Sequence, residues 1–179
     1  MISVLPIAEG WTVECTACSS AAVPAGVIGM RFASEVPGCV HSDLMRAGVL
    51  VPVDEGDGEA QQVWVGHADW LWRGTIEVSA DALAEECCEL VFSSIDTIAT
   101  ITVNGIELGT AANQFVQHRF AAKRALRVGV NEITVAIRAP VDWVTAQERL
   151  LGARPVNGDW TPYPFMRKSA CNFGWDWGP

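Results

Sequence analysis

The sequence predicts an all-β domain, an antiparallel β-sandwich or jelly roll, and three observations carry that reading. Apolar residues recur at every second position in several short segments, those segments are separated by turn-forming residues, and helical periodicity is scarce. A small mixed α+β domain is the other architecture the pattern allows. With 179 residues, half of them hydrophobic and 18% charged, the chain has material for one domain around one core and none of the composition of a disordered tail.

The helical candidates are few. Ser42 or Asp43 is placed to cap a short helix that runs to Ala47 and stops at Gly48. Ala121 to Leu126 supplies a turn or two, and Val141 to Leu151 a longer stretch with Gln147, Glu148 and Arg149 on one side.

The strands are more distinct. From Trp70 to Val78 one parity reads Trp70, Trp72, Gly74, Ile76, Val78 and the other Leu71, Arg73, Thr75, Glu77, which is a strand with one buried and one mostly wet face. Glu89 to Ser93 holds the continuous apolar run Leu90, Val91, Phe92 of a strand covered on both sides. Ile98 to Val103 is rich in β-branched side chains and ends in Asn104-Gly105, a pair that supplies the two positive φ angles of a tight hairpin turn, with Ile106 to Leu108 returning. Phe115 to Phe120 reads as a further strand, and Gly129-Val130-Asn131 punctuates before Ile133, Val135 and Ile137, which share a face.

Charge and targeting signals narrow the partners. A formal net charge of -9 repels duplex DNA and anionic membranes, so neither is an expected partner. No stretch reaches the roughly 18 apolar residues of a bilayer crossing, and Met1 to Glu9 has neither a basic start nor a small-residue cleavage site, so a soluble, cytoplasmic chain is expected.

Six cysteines without an export signal read as free thiols. Cys15 and Cys18 form a CxxC that is half a zinc site or a redox pair at most, since no second pair follows and the only histidines are His41, His67 and His118. Cys87 and Cys88 fit a strand start with one side chain in and one out. No metal and no cofactor is expected.

The familiar nucleophile, phosphate-binding and zinc-protease motifs are all missing. Glu85-Glu86 and the run Asp54, Glu55, Asp57, Glu59 read as solvated loop charges, Asp96-Thr97 as an Asx turn before a strand, and His41 as a helix-entry residue. These residues form no complete active site, so no catalytic residue is assigned.

Tryptophan is the unusual residue, with eight against one tyrosine. The positions have no repeat period, so each indole is an individual anchor, in a core corner or as a platform under the C–H face of a sugar ring. After Gly152 the texture changes. Pro155, Pro162 and Pro164 frame a loop too aromatic for a plain tether, with Trp160, Tyr163 and Phe165, and it leads to Phe173-Gly174-Trp175-Asp176-Trp177-Gly178-Pro179. Asp176, between two indoles, is either a turn aspartate bonding its own backbone or a carboxylate that accepts sugar hydroxyls.

Five blocks in order, VPGCVHSDLMRAG, WVGHADWLWRG, SSIDTIATITVNGIELGTAANQF, GVNEITVAI and RKSACNFGWDWGP, resemble the N-terminal domain of glycoside hydrolase family 2 β-mannosidases from about Trp11 onward. The resemblance implies a jelly-roll β-sandwich of the galactose-binding-domain-like type, here lacking its last strand. It implies one domain over 1–179, with 152–179 an aromatic and proline-rich loop leading to the substrate-contact motif. It also implies retaining hydrolysis of terminal β-linked mannose, with one glutamate as acid/base and a second about 5 Å away as nucleophile. Both glutamates would lie on a barrel domain of the same chain beyond Pro179, so this segment alone would be inactive. By position, Trp175 and Asp176 would be the sugar contacts, and Arg167-Lys168 matches a basic pair just upstream, holding the loop or touching sugar. One stretch departs from the family: Leu50 to Trp64 keeps Pro52 and Gly56 but not the family's aromatic or its Asn-Glu. A free-standing carbohydrate-binding module and a structural jelly roll without ligand are the alternatives.

Overall fold

A computed structural model describes residues 3–155, 163–169 and 172. Among these, eight strands form two antiparallel sheets. The larger sheet runs β2 (Arg31–Ser34), β1 (Trp11–Cys18), β3 (Ala68–Val78), β8 (Gly129–Ile137), β5 (Ala99–Val103), β6 (Ile106–Ala111) from edge to edge. The smaller pairs β4 (Glu89–Phe92) with β7 (His118–Ala121).

Alternation decides which face of the large sheet is buried. The register puts Val13 opposite Trp72, Trp72 opposite Val135 and Val135 opposite Ile101, so the apolar parities of four strands form one continuous row. The other face is polar: Glu14 binds both Arg73 and Arg31, and Thr102 meets Thr134 at 2.6 Å.

The apolar face has two different covers. Leu90 and Phe120 of the small sheet close over Trp11, Ile101, Val103, Ile133 and Val135. Towards β1 and β2 the cover is helical: Leu44 of α1 (Val40–Arg46) and Trp64 and Val65 of a 3-10 turn (Val63–His67) pack with Val13, Cys15, Phe32 and Trp70. Trp72 touches both clusters. The sandwich is therefore lopsided, six strands against two, with helical turns filling the remainder of the second layer.

The hairpin forms as its sequence requires, with Asn104 at φ 51° and Gly105 at φ 77°. Sequence reading misses β1, β2, the 3-10 turn and two short helices, α2 (Gly58–Gln62) and α3 (Ala80–Ala84), the last capped by Ser79 accepting from the Ala82 amide at 3.1 Å. α4 (Pro140–Leu151) opens on a proline and ends at Gly152, where φ is +82°. Ala121 to Leu126 is a turn after β7 rather than a helix. Gly129-Val130-Asn131 lies inside β8, not before it.

The first helix starts earlier than its cap residues imply. Cys39 is the N-cap and makes no side-chain capping bond. Asp43 instead turns inward, 1% exposed, where its carboxylate accepts from Ser34 Oγ at 2.6 Å, the Glu35 amide at 3.3 Å and Arg46. Ser34 Oγ also accepts from Trp72 Nε1 at 3.0 Å, so a relay of donors compensates the buried charge and ties α1 to the sheet.

Candidate functional site

The chain after α4 returns to the sandwich at the β6–β7 connection. Backbone pairing fixes the place: Asn113 and Arg167 form a parallel bridge, and the Gln114 amide donates to the Arg167 carbonyl at 2.9 Å. The Gln114 side chain then reaches forward, its Oε1 accepting from the Ser169 amide at 2.8 Å. Gln114 is itself held, since Ser94 Oγ donates to its carbonyl at 2.7 Å. His118 Nε2 donates to the Asn113 carbonyl at 2.8 Å, and the Phe115 amide to Asn113 Oδ1 at 3.0 Å. One connection thus grips residues 167–169 through main chain and side chain together.

Charge adds a second grip. Lys168 Nζ donates to Asp96 Oδ2, with the lysine side chain 12% exposed and the aspartate 34%. At that burial a lysine needs its counter-charge, because removing water from an ammonium is compensated only by a close anion. Asp96 is therefore an ion-pair partner with its Oδ1 also bonded to Thr97, a role its turn-like sequence context does not reveal. His41, on α1, is the third group here: burial, and then the positive charge of Lys168, hold its pKa below the ordinary histidine value.

Beside this anchor is a cleft of about 440 Å³ whose lining includes Phe115, Gln147, Arg154, Phe165 and Lys168. Arg154 stacks its guanidinium 4.8 Å from the Phe165 ring centre. The combination of ring faces with polar and cationic tips can hold a hydroxyl-rich ligand.

Of the residues assigned to sugar contact, Trp175 and Asp176 lie outside the described residues, as do Trp160 and Trp177. Of the other tryptophans, Trp11, Trp64 and Trp70 are buried and Trp72 is half-buried against both core clusters, so these four are packing anchors, and Trp143 is half-buried on α4. Cys15 is sealed in the sheet and Cys18 half-buried beside it; with Cys39, Cys87 and Cys88 they are unpaired thiols. Asp54, Glu55, Asp57, Glu59, Glu85 and Glu86 are exposed, as solvated loop charges should be. Among the described residues no cluster of three metal-binding side chains occurs, and no helix is long and apolar enough to cross a membrane.

One serine–histidine–aspartate grouping has no counterpart in the sequence reading: His67 Nδ1 lies 2.7 Å from Asp142 Oδ1 and 3.4 Å from Ser19 Oγ. Both partners address the same ring nitrogen. A nucleophile relay needs one partner on each nitrogen, so this contact ties the 3-10 turn to α4 and activates nothing.

Comparison with known proteins gives a consistent picture. The chain is 32% identical over 180 residues to β-mannosidase A of Emericella nidulans, covering 94% of this chain and 17% of that protein. It is 27% identical over 158 residues to the β-mannosidase of Bos taurus, covering 84% of this chain and 18% of that protein. The crystal structure of a β-D-mannosidase from Dictyoglomus thermophilum superposes with a TM-score of 0.87 at 30% identity, covering 99% of this chain and 21% of that one. The chain spans about a fifth of the length of the relatives it matches. A family profile matches residues 11–179, and on that match this chain belongs to the glycosyl hydrolase 2 galactose-binding domain-like family.

Proposed function

We propose that this chain is the N-terminal, non-catalytic part of a retaining β-mannosidase that hydrolyses terminal β-linked mannose. The observation that carries the reading is the match to the Dictyoglomus thermophilum β-D-mannosidase, which extends over 99% of this chain and only 21% of that protein. The acid/base and nucleophilic glutamates belong on a barrel domain outside residues 1–179, and the partner of this domain is that barrel. Residues 1–179 form one domain, of which 152–179 is the loop that reaches towards substrate. A cytoplasmic setting fits the unpaired thiols.

Within this reading Trp175 and Asp176 contact the sugar at the cleavage subsite. A carboxylate gripping two hydroxyls orients the ring for attack at the anomeric carbon and rejects an epimer whose hydroxyl points elsewhere, while an indole supports the ring's C–H face. Neither group takes part in bond-breaking.

The test is to sequence and express the coding region continuing past Pro179, and to assay both the extended protein and residues 1–179 on an aryl β-mannoside. The extended protein should hydrolyse it with retention of anomeric configuration and the short chain should not. Hydrolysis by the short chain, or an extension without mannosidase activity, contradicts the reading. Calorimetric binding of mannose by residues 1–179 at millimolar affinity or tighter would instead favour a carbohydrate-binding module.

A further inference from the structure

We propose that Asn104 is a site of spontaneous covalent modification: its side-chain amide is lost as ammonia to attack by the Gly105 nitrogen when the β5–β6 turn opens, and the folded protein restrains that reaction by keeping the asparagine fully hydrogen-bonded. Among the described residues Asn104 is the one asparagine followed by glycine, the neighbour whose bare Cα least obstructs its own nitrogen.

The chemistry needs only water and hydroxide. Hydroxide takes the Gly105 amide proton, and the nitrogen attacks the carbonyl carbon of the Asn104 side chain. An N–C bond forms, the bond to Nδ2 breaks, and Nδ2 leaves as ammonia with a proton from water. Water then opens the five-membered imide at one of its two carbonyls, leaving aspartate or isoaspartate. Gly105 is exposed, so base reaches it. The attack still requires the nitrogen and the carbonyl carbon to meet in a near-attack geometry, and the side chain must be free to turn into it. In the folded protein it is held at both ends. Nδ2 donates to the Ala125 carbonyl and to Asn131 Oδ1, each at 2.8 Å, and Oδ1 accepts from the Glu132 amide at 3.1 Å. The main chain is fixed as well, since the Asn104 amide donates to the Glu132 carbonyl at 2.9 Å. Four bonds must yield before the reaction begins.

The product cannot restore what the reaction breaks. Nδ2 is a double donor facing two oxygens, and deamidation replaces it with an anionic oxygen that can only accept. Both facing groups belong to buried residues, Ala125 and Asn131, so the repulsion is not relieved by water. Asn131 is the more sensitive of the two, because its side chain also satisfies the Arg127 amide and the carbonyls of Arg127 and Gly129. Isoaspartate adds a further strain, a methylene inserted into the main chain of a turn whose two φ angles, 51° and 77°, suit an ordinary two-residue connection. Each opening therefore risks a one-way step, and a chain that has taken it carries a loosened junction between the hairpin and β8.

The test ages the full-length protein at pH 8, folded and in unfolding urea, and follows the amide-to-acid mass gain by peptide mapping, which separates Asn104 from the other Asn-Gly pair, Asn157-Gly158. Asn104 should convert at least roughly tenfold more slowly in the folded protein than in the unfolded chain. Below the unfolding midpoint its rate should rise with urea in parallel with hydrogen exchange of the Asn104 amide, because one opening exposes both. Aged chains, separated from intact ones by their added negative charge, should exchange the Arg127 amide at least roughly tenfold faster. Asn104→Asp should reproduce that change, and if this variant does not fold, the aged parent chains supply the comparison. Equal rates in folded and unfolded protein, a folded-state rate that does not follow exchange, no conversion of Asn104 in the unfolded chain, or aged protein with unchanged Arg127 exchange would each overturn the proposal.

Discussion

Asn104 Nδ2 donates to Asn131 Oδ1 at 2.8 Å, joining the turn of one hairpin to the first residues of β8. Asn131 is completely buried, and its remaining bonds are all made: Nδ2 donates to the carbonyls of Arg127 and Gly129, and Oδ1 also accepts from the Arg127 amide, each at 2.8 Å. Asn104 is similarly used, donating to the Ala125 carbonyl at 2.8 Å and accepting from the Glu132 amide at 3.1 Å. A side chain is doing here what a sheet ladder does elsewhere, satisfying main-chain groups that are closed off from water. Asn131→Ala orphans several of them at once and should lower stability by about 3 kcal/mol. Urea unfolding should show a lower midpoint with an unchanged slope.

Gly74 has a simpler constraint. A Cβ at that position would stand 2.6 Å from Cε2 of the Trp11 indole, which is buried in the core and tethered by its Nε1 to the Ile7 carbonyl at 2.9 Å. The indole has little freedom to retreat. Gly74→Ala should therefore destabilise by about 1 to 3 kcal/mol through overpacking, measured as a lower thermal midpoint, and Gly74→Ala/Trp11→Phe should lose less than the sum of its parts.

The thiols should divide by burial. Cys15 is fully enclosed, and desolvation, with the neighbouring Cys18 next in weight, pushes its pKa up to about 11. At pH 8 it is protonated and out of reach. Cys39 and Cys87 are exposed and should be alkylated by iodoacetamide in the native protein, while Cys15 is labelled only after unfolding. Peptide mass mapping before and after denaturant checks this.

Acid sensitivity should trace in part to His41. Burial and the Lys168 charge lower its pKa in the folded protein below the ordinary 6.5. The unfolded chain therefore binds this proton first as pH falls, so stability present at neutral pH declines below about 6.5 and the loss is complete once the folded-state pKa is passed. Between pH 7 and pH 5.5 the thermal midpoint of His41→Gln should fall less than that of the parent protein. Equal falls would mean that His41 keeps its ordinary affinity for the proton.

What the sequence makes legible is whatever local chemistry dictates. The hairpin at Asn104-Gly105 is such a case, because two consecutive positive φ angles leave little choice of residue. So is β3, whose alternating parities match its buried and wet faces at Trp70 and Arg73. β1 carried the same signal, with Trp11, Val13 and Cys15 buried and Thr12 and Glu14 between them, but its cysteine spacing draws attention towards metals and away from alternation. Asp43 looks like a helix cap because caps are short and polar, and only tertiary structure brings Ser34 and Arg46 around it. The pairing of Asp96 with Lys168 is beyond any local pattern, since 72 residues separate them. The Trp175-Asp176 pair is legible only through its resemblance to a family, not through periodicity or composition.

The measurement that bears most directly on the central claim is the kinetics of Asp176→Ala in the full-length protein on an aryl β-mannoside. Loss of a carboxylate that grips two sugar hydroxyls should reduce kcat/KM by an amount equivalent to about 2 to 4 kcal/mol of transition-state binding, with the thermal midpoint little changed. A variant that turns over the mannoside as fast as its parent would show that this domain does not hold the sugar.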